Sequence, residues 1–235
     1  MRAEKYLINQ RTSGGYGLAI HTKCLLPQGQ KLLGVLKGVV RKHNFILAGG
    51  TALSLQIGHR ISVDLDFFSE KQFATDALYR ELQKAKLKPI VQQETEGTLT
   101  TTISGVKVSM FHYPYPVLDK KVHWRGIEIA GIIDIAAMKI MAVTQRGAKR
   151  DFIDLYFILK DIPFRKIAEN LVQRYGVNRI NPVNVGKAIV YFSDADIDPG
   201  PQYCGKGKPD WNTIKKFFVK NVRQMVIDMQ ENVSG

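Results

Sequence analysis

The spacing of hydrophobic and polar residues changes near residue 130. Before that point, apolar positions alternate with polar ones or form short runs, a pattern typical of strands mixed with a few helices. After Gly131 they recur every three or four residues, which predicts helices. We therefore expect an α/β (α+β) protein with a polar N-terminal extension at residues 1–24, a mixed-sheet lobe at residues 25–130 and a helical lobe at residues 131–235.

Individual elements follow from the same spacing. In the first lobe we expect helices over residues 28–42, 51–56 and 71–87, strands over 45–48, 60–68 and 123–129, and a hairpin of 98–103 with 106–113 turning at Ser104-Gly105. In the second lobe we expect helices over residues 132–145, 151–160, 163–175, 182–192 and 211–230.

Composition narrows the class of protein. Hydrophobic residues make up 45% of the chain and charged residues 23%, which is ordinary for a globular protein with its own core. The longest uncharged stretch, residues 43–59, contains a glycine pair and two histidines, so it does not predict a membrane span. There is no apolar segment typical of a secretion signal, and two cysteines are too few for a cysteine metal cluster. We expect a cytoplasmic protein.

The net charge of +13 is unevenly distributed. Residues 1–48 and the helical lobe carry most of the excess of Lys and Arg, whereas residues 49–130 are nearly neutral. A basic surface attracts polyanions such as nucleic acids through their phosphates, although a well-solvated basic protein without such a partner has the same composition.

The most informative motif is Gly49-Gly50-Thr51, followed at a helix-length separation by Asp64-Leu65-Asp66. A strand that ends in glycines and leads into a helix exposes backbone N–H groups, and these bind phosphate. Two carboxylates spaced i, i+2 on a strand lie on one face, where they favour a cation such as Mg²⁺ that also binds phosphate oxygens. Alternatively, the two acids pair with Arg60 or with nearby lysines.

These residues, read with their neighbours, resemble the DNA polymerase β-type nucleotidyltransferase superfamily and, more narrowly, the AbiEii/AbiGii toxin family of abortive-infection and toxin–antitoxin systems. The resemblance extends over roughly residues 28–230. Its three blocks are Ala48–Ala52 with Arg60–Phe68, Asp134–Lys139 with Arg146–Leu155, and Tyr191–Asp196 followed by Trp211 and a long basic helix.

The resemblance implies a polymerase β-like fold and a role for each matched residue. Asp64 and Asp66 are expected to be catalytic and to bind the metal. The expected nucleotide-binding residues are Gly49, Gly50, Thr51, Arg60 and Ser62. Lys107 lies outside the matched blocks and is added to the expected nucleotide-binding set because it precedes Ser109 on one predicted strand and can line the site. Lys139, Asp151 and Asp154 are expected to be catalytic, with Lys139 binding phosphate oxygens and neutralising the leaving pyrophosphate.

Two alternatives stay open for this second group. Asp151 is also suited to the first turn of a helix, where a carboxylate interacts favourably with the helix dipole. Asp154 is within reach of Lys149 or Arg150 along the chain. Either arrangement accounts for these acids without any catalytic role.

One position departs from the family pattern. Polymerase β-like enzymes usually carry a third carboxylate on a later strand, and here Ser109 stands where it is expected. A hydroxyl is a poorer Mg²⁺ ligand than a carboxylate and is not a strong base near neutral pH. Either Asp151 or Asp154 takes over that role, or the protein is weakly active or inactive.

We therefore predict a Mg²⁺-dependent nucleotidyltransferase that moves a nucleoside monophosphate from an NTP to an acceptor hydroxyl. The resemblance implies a toxin with a cognate antitoxin, and it favours tRNA or another RNA as acceptor. The alternatives are transfer to a protein hydroxyl, and a catalytically inactive module that binds RNA or protein. No membrane partner is expected.

Overall fold

The computed structural model describes residues 19–205 and 207–234. These residues form two compact units, one made of Ile20–Gly131 and the other beginning at Ile132. A mixed sheet lies in the first unit and the second is helical, which confirms the predicted fold class. Most of the predicted N-terminal extension, residues 1–18, lies outside the described residues.

The sheet unit begins with a short 3-10 helix at Thr22–Cys24, and its longer elements follow in chain order. They are α1 (Pro27–Lys42), β1 (Ile46–Ala48), α2 (Gly49–Ile57), β2 (Leu65–Ser69), α3 (Thr75–Lys84), β3 (Ile90–Thr95), β4 (Thr98–Ile103), β5 (Val106–His112), β6 (Val122–Trp124) and β7 (Ile127–Ile129). Pro27 at the start of α1 fits the first helical turn, where its missing N–H is not needed.

The strands form one sheet in the order β3-β4-β5-β2-β1-β7-β6. The central strand β2 pairs antiparallel with β1 and parallel with β5. Leu65 and Phe67 of β2 are fully buried, whereas the alternate residues Asp66 and Phe68 are half-buried on the opposite face. The sheet therefore has an apolar core face and a second face that carries Asp66.

Two predicted strands differ from the structure. The strand predicted over residues 60–68 begins only at Leu65. In the segment before it, Ser62 is 7% exposed and Val63 is 50% exposed, whereas strand alternation predicts a buried Val63 and an exposed Ser62. The strand predicted over residues 123–129 is instead the hairpin β6–β7. It turns at Arg125 and Gly126, both of which have positive φ.

The helical unit contains six α-helices among its described residues, besides a short 3-10 helix at Val177–Arg179. They are α4 (Ile132–Arg146), α5 (Lys149–Leu159), α6 (Phe164–Tyr175), α7 (Pro182–Ile189), α8 (Ser193–Ile197) and α9 (Trp211–Ser234). The single helix expected over residues 182–192 ends at Ile189, and α8 follows it. No helix in the described part of the chain has the length and apolar character to cross a bilayer.

Candidate active site

The turn from β1 into α2 brings two glycines against charged side chains. Gly49 has φ +67°, and a Cβ added there would lie 3.0 Å from Asp66 Oδ2. A Cβ added at Gly50 would overlap the Arg60 guanidinium and lie 3.3 Å from Ser62 Oγ. The first two residues of α2 therefore lie against a carboxylate and a guanidinium, and a side chain at either position would crowd these groups.

Thr51 and Ser62 connect the start of α2 to the segment that leads into β2. Thr51 Oγ1 lies 2.8 Å from Ser62 Oγ and donates to the Asp64 carbonyl oxygen. Both side chains are buried, and so is Arg60 at 5% exposure. These contacts fix the backbone that carries Asp64, and they explain why the alternation predicted for residues 60–63 fails.

The sheet register places Asp66 at the centre of a row across four strands. Asp66 pairs with Ala48 of β1 and with Ser109 of β5, and Ser109 in turn pairs with Thr100 of β4. Ser109 is thus beside Asp66, and its side chain is 2% exposed. Lys107, two residues earlier on β5, is exposed on the same strand face.

Asp64 and Asp66 are both half-exposed. Within the described residues there is no group of three or more His, Cys, Asp or Glu side chains arranged to hold a metal ion. This result agrees with a hydroxyl at residue 109. A cation here would have two protein carboxylates as ligands and would complete its shell with oxygens from water or substrate.

The helical unit contains a second cluster of charged residues, and it is buried. Lys139 Nζ donates to Asp151 Oδ1 at 2.6 Å and lies 2.7 Å from Asp154 Oδ2. Arg146 Nε donates to Asp151 Oδ2 at 3.1 Å. Both aspartates have 0% exposure, and the Lys139 side chain has 7%. Lys139, Asp151, Asp154 and Arg146 form what we call the buried quartet, with two positive and two negative charges.

Both aspartates of α5 take part in ion pairs of the quartet. Asp154 pairs with Lys139 on the neighbouring helix α4. Lys149 instead uses its backbone N–H and its Nζ to bind the side chain and the carbonyl of Asp198. The Asp151 carboxylate is bound by Lys139 and Arg146 across the α4–α5 turn. Both acids are therefore components of a packed ion network.

Sequence reasoning assigned no role to four members of these networks, Arg146, Asp134, Asn170 and Arg174. Arg146 was part of the matched block but received no role, although its side chain is 55% exposed and is the accessible cation of the quartet. Asp134, also in that block, is fully buried and accepts from Asn170 and Arg174 of α6. The i, i+4 spacing of Asn170 and Arg174 on α6 was the available signal, because it places both on one helix face.

The third matched block is joined to the basic helix by side-chain contacts. Asp196 of α8 accepts from Trp211 Nε1 at 2.6 Å and from Lys215 Nζ at 3.0 Å. The Trp211 hydrogen bond, and then the one from Lys215, lower the pKa of Asp196 from its usual value of 3.8. These bonds connect α8 to the first turn of α9.

The residues proposed from sequence thus fall into one cluster in each unit. The sheet unit holds Gly49, Gly50, Thr51, Arg60, Ser62, Asp64, Asp66 and Lys107, and the helical unit holds Lys139, Asp151 and Asp154. The two aspartates of the first cluster are half-exposed, whereas those of the second are fully buried and ion-paired.

A protein-family model described as the nucleotidyl transferase AbiEii toxin of type IV toxin–antitoxin systems matches residues 32–123 and 113–224. An uncharacterised protein of Aquifex aeolicus (strain VF5) is 37% identical over 187 residues, covering 77% of this chain and 88% of its own length. Together the two segments matched by the family model extend over most of the sequence.

Solved structures share the fold at low sequence identity. The crystal structure of JHP933 from Helicobacter pylori has a TM-score of 0.53 and 18% identity, covering 88% of this chain and 95% of that chain. The nucleotidyltransferase toxin MenT4 from Mycobacterium tuberculosis H37Rv has a TM-score of 0.50 and 13% identity, covering 87% and 90%. These likenesses support the fold.

Proposed function

Since the chain belongs to the AbiEii toxin family of nucleotidyltransferases, we propose that it transfers a nucleoside monophosphate from an NTP to a hydroxyl of an RNA acceptor, with tRNA the favoured class. In this reaction the acceptor oxygen bonds to the α-phosphorus and the bond to pyrophosphate breaks. The type IV toxin–antitoxin description of the family also implies a cognate antitoxin.

The observation that carries this proposal is the contact between the start of α2 and Asp66. Helix N-terminal N–H groups favour a phosphate, but a carboxylate 3.0 Å from the Gly49 Cβ position would repel one. A bound divalent cation, which Asp64 and Asp66 would hold, would offset that repulsion. The arrangement therefore suits a nucleoside triphosphate bound together with a metal better than either ligand alone.

The donor set at this position fits Mg²⁺. Asp64 and Asp66 supply the hard oxygen ligands that this ion prefers, and half-exposed carboxylates leave room for its retained waters and for phosphate oxygens. When bound, the ion would neutralise negative charge on the phosphoryl group that is transferred. Ser109 adds at most a weak ligand, so we expect modest metal affinity before the NTP binds.

The other residues of the sheet unit act on the phosphates in this proposal. Arg60, packed against Gly50, supplies positive charge beside the start of α2, and Thr51 with Ser62 holds that turn in place. Lys107 is an exposed cation on the strand that carries Ser109. We assign these residues to binding and orientation of the NTP.

In the helical unit we propose that Lys139 neutralises charge on the leaving pyrophosphate, as the family resemblance implies. Asp151 and Asp154 would then hold its ammonium group in one position, since each lies within 2.7 Å of Nζ. An ordered ammonium group loses little freedom when it meets a phosphate. Their role is thus positioning as well as charge balance.

The surface of α9 supports an RNA acceptor. Lys216, Lys220 and Arg223 are exposed along one stripe of this helix, whereas Ile214 and Phe218 on the opposite side are fully buried. The first acidic residue of α9 is Asp228, which is 9% exposed, so no exposed carboxylate interrupts the stripe. Three adjacent cations match the spacing of a polyanion better than that of a single small ligand.

A second candidate function is favoured by Ser109. A buried hydroxyl beside Asp66 lacks the charge of a third metal ligand, which suits a nucleotidyltransferase fold that binds RNA or protein without turnover. Transfer to a protein hydroxyl uses the same cluster with another acceptor.

One labelling experiment separates these functions. The full chain is incubated with each NTP radiolabelled at its α-phosphate, with Mg²⁺ or EDTA, and with total RNA or total protein. We expect Mg²⁺-dependent label that nuclease removes and protease does not, and none with the Asp64→Asn variant. Protease-sensitive label would identify a protein acceptor, and no label under any condition would favour the inactive binding module.

The acceptor surface is tested with the triple variant Lys216→Gln, Lys220→Gln, Arg223→Gln. We expect weaker RNA binding and a log–log salt slope lower by about 2, since each lost phosphate contact removes roughly 0.7–0.9. The matched control replaces the exposed Lys160, Lys166 and Lys187 of other helices with Gln. Equal RNA affinity and salt slope in the two triple variants would exclude α9 as the acceptor surface.

A further inference from the structure

Four aromatic rings form a continuous group on the sheet unit, which we call the aromatic strip. Phe68 lies 5.2 Å from Phe111 and 5.4 Å from Tyr113, measured between ring centroids, and Tyr113 lies 4.8 Å from Tyr115. Each of the four residues is half-buried. The strip is therefore a packed set of rings that still has accessible surface.

The strip lies on the same sheet face as Asp66. Asp66 and Phe68 are two residues apart on β2, Ser109 and Phe111 are two residues apart on β5, and the register pairs Asp66 with Ser109 and Phe68 with Phe111. Side chains at i and i+2 of a strand point to the same side, about 6.6–6.8 Å apart along it. The rings thus begin one strand repeat beyond the proposed metal ligand.

This placement differs from that of an aromatic core. The opposite face of the same two strands carries Leu65, Phe67, Val108 and Met110, each with at most 1% exposure. The apolar contacts that stabilise the sheet lie there. The aromatic strip instead lies on the face that carries Asp66 and the exposed Lys107.

The segment after β5 is held so that its rings stay in place. Tyr113 N donates to the Ser69 carbonyl at 2.7 Å, which continues the parallel pairing of β2 and β5 by one residue. Tyr115 N donates to the Tyr113 carbonyl at 2.7 Å, and prolines at 114 and 116 restrict the backbone on both sides of Tyr115. Ordered rings lose little conformational entropy when a ligand stacks on them.

We propose that the aromatic strip binds a nucleobase by stacking, with the sugar-phosphate of that nucleotide directed toward Asp66. The inference rests on the proposed nucleotidyl transfer for its ligand class. Stacking on aromatic rings tolerates any base, because every base has a π face. The base belongs either to the bound NTP or to the terminal nucleotide of the RNA acceptor, and a separate probe for each source distinguishes them.

The test uses 2-aminopurine, a fluorescent base whose emission falls when it stacks. One probe is 2-aminopurine riboside triphosphate with Ca²⁺ in place of Mg²⁺ to suppress turnover, and the other is a short RNA that ends in 2-aminopurine. The variant is Tyr113→Leu with Tyr115→Leu, which removes two rings and keeps apolar side chains. The matched controls are Tyr113→Phe with Tyr115→Phe, and Tyr191→Leu at an exposed tyrosine of the helical unit.

We expect the wild-type chain and both controls to quench the fluorescence of at least one probe. The double Leu variant should bind that probe roughly 5- to 150-fold more weakly. Loss confined to the triphosphate identifies the NTP base, and loss confined to the RNA identifies the acceptor terminus. Equal affinity of all variants for both probes would overturn the inference.

The outcome is independent of turnover, so the two proposals fail separately. Label transfer from an NTP combined with unchanged binding in the double Leu variant would refute the stacking site alone. Ring-dependent quenching by the RNA, without label transfer from any NTP, would retain the stacking site and refute the enzymatic function. Circular dichroism of each variant at the assay temperature checks that the fold is intact.

Discussion

Two pairs of aspartates in this molecule have the same side chains and opposite surroundings. Asp64 and Asp66 are half-exposed at the entry to β2, beside the N-terminus of α2. Asp151 and Asp154 are fully buried on α5, with Lys139 between them and Arg146 on the outer side. One pair is half-exposed to solvent, and the other is buried and ion-paired within its own unit.

The difference shows that burial determines how strongly a charged side chain affects the stability of the fold. A buried carboxylate must keep its partner, because an uncompensated charge in the interior costs several kcal/mol, approximately 3–5 when one partner is removed. A half-exposed carboxylate is solvated and costs little when its neighbour changes. Activity and stability should therefore respond to different substitutions in the two pairs.

The largest effect is expected for Asp64→Asn. Nucleotide transfer should fall by about 10²- to 10³-fold or more, the range for loss of one preorganised electrostatic group. The melting temperature should stay the same or rise, since repulsion between two nearby carboxylates is relieved. Transfer rate and melting temperature are measured on the same preparation, and a drop in both would place Asp64 with the structural acids instead.

Lys139→Met should have the opposite stability effect. It removes the ammonium group that both buried aspartates contact, so unfolding should become easier by about 3–5 kcal/mol in urea denaturation. Lys166→Met, at an exposed position of α6, is the control and should be nearly neutral. If the two variants denature at the same urea concentration, the quartet does not stabilise the helical unit.

Ser109→Asp would add a carboxylate that is buried, like Asp151 and Asp154, but lies beside Asp66. A third carboxylate beside Asp66 at a 2% exposed site should lower the melting temperature in EDTA, and Mg²⁺ should restore it. A tenfold gain in metal affinity would add about 1.4 kcal/mol at saturating Mg²⁺. Ser109→Asn, which adds similar bulk without charge, should show no such gain, and a Mg²⁺ shift equal to that of the wild type would argue against a metal at Asp66.

The smallest effect concerns a surface acid of the helical unit. Because the folded-state pKa of Asp196 lies below its usual 3.8, its bonds to Trp211 and Lys215 stabilise the fold above that pH. This contribution is lost as the pH falls through the lowered folded-state pKa. The melting-temperature difference between wild type and Asp196→Asn should therefore be full near neutral pH and shrink in acid. A difference that stays the same from neutral to acid pH would contradict this prediction.

Local patterns predicted the parts of the site that local chemistry determines. Gly49-Gly50-Thr51 specified a helix start next to a strand, and the hairpin of β4 and β5 followed from alternation on both sides of Ser104-Gly105. The predicted hairpin is also what places Ser109 at the strand position where the family usually has its third carboxylate. The structure confirms that Ser109 is the residue beside Asp66.

What the sequence did not predict depends on tertiary contacts. β3 was missed because all six of its residues are exposed, so it has no buried face to create alternation. The burial of Arg60 and Ser62 follows from contacts with Gly50 and Thr51, which precede them by about ten residues. The ion pair of Arg146 with Asp151 depends on how α4 and α5 pack together, which the spacing along the chain does not predict.

The parallel pairing of β2 with β5 also bears on the order in which the chain folds. Asp66 and Ser109 are separated by roughly forty residues, so their contact closes a long loop, whereas the β4–β5 hairpin closes a short one. Non-local pairing of this kind forms late and slowly. A nascent or partly folded chain would contain the hairpin before it contains the row of residues around Asp66, and catalytic competence would coincide with completion of the sheet.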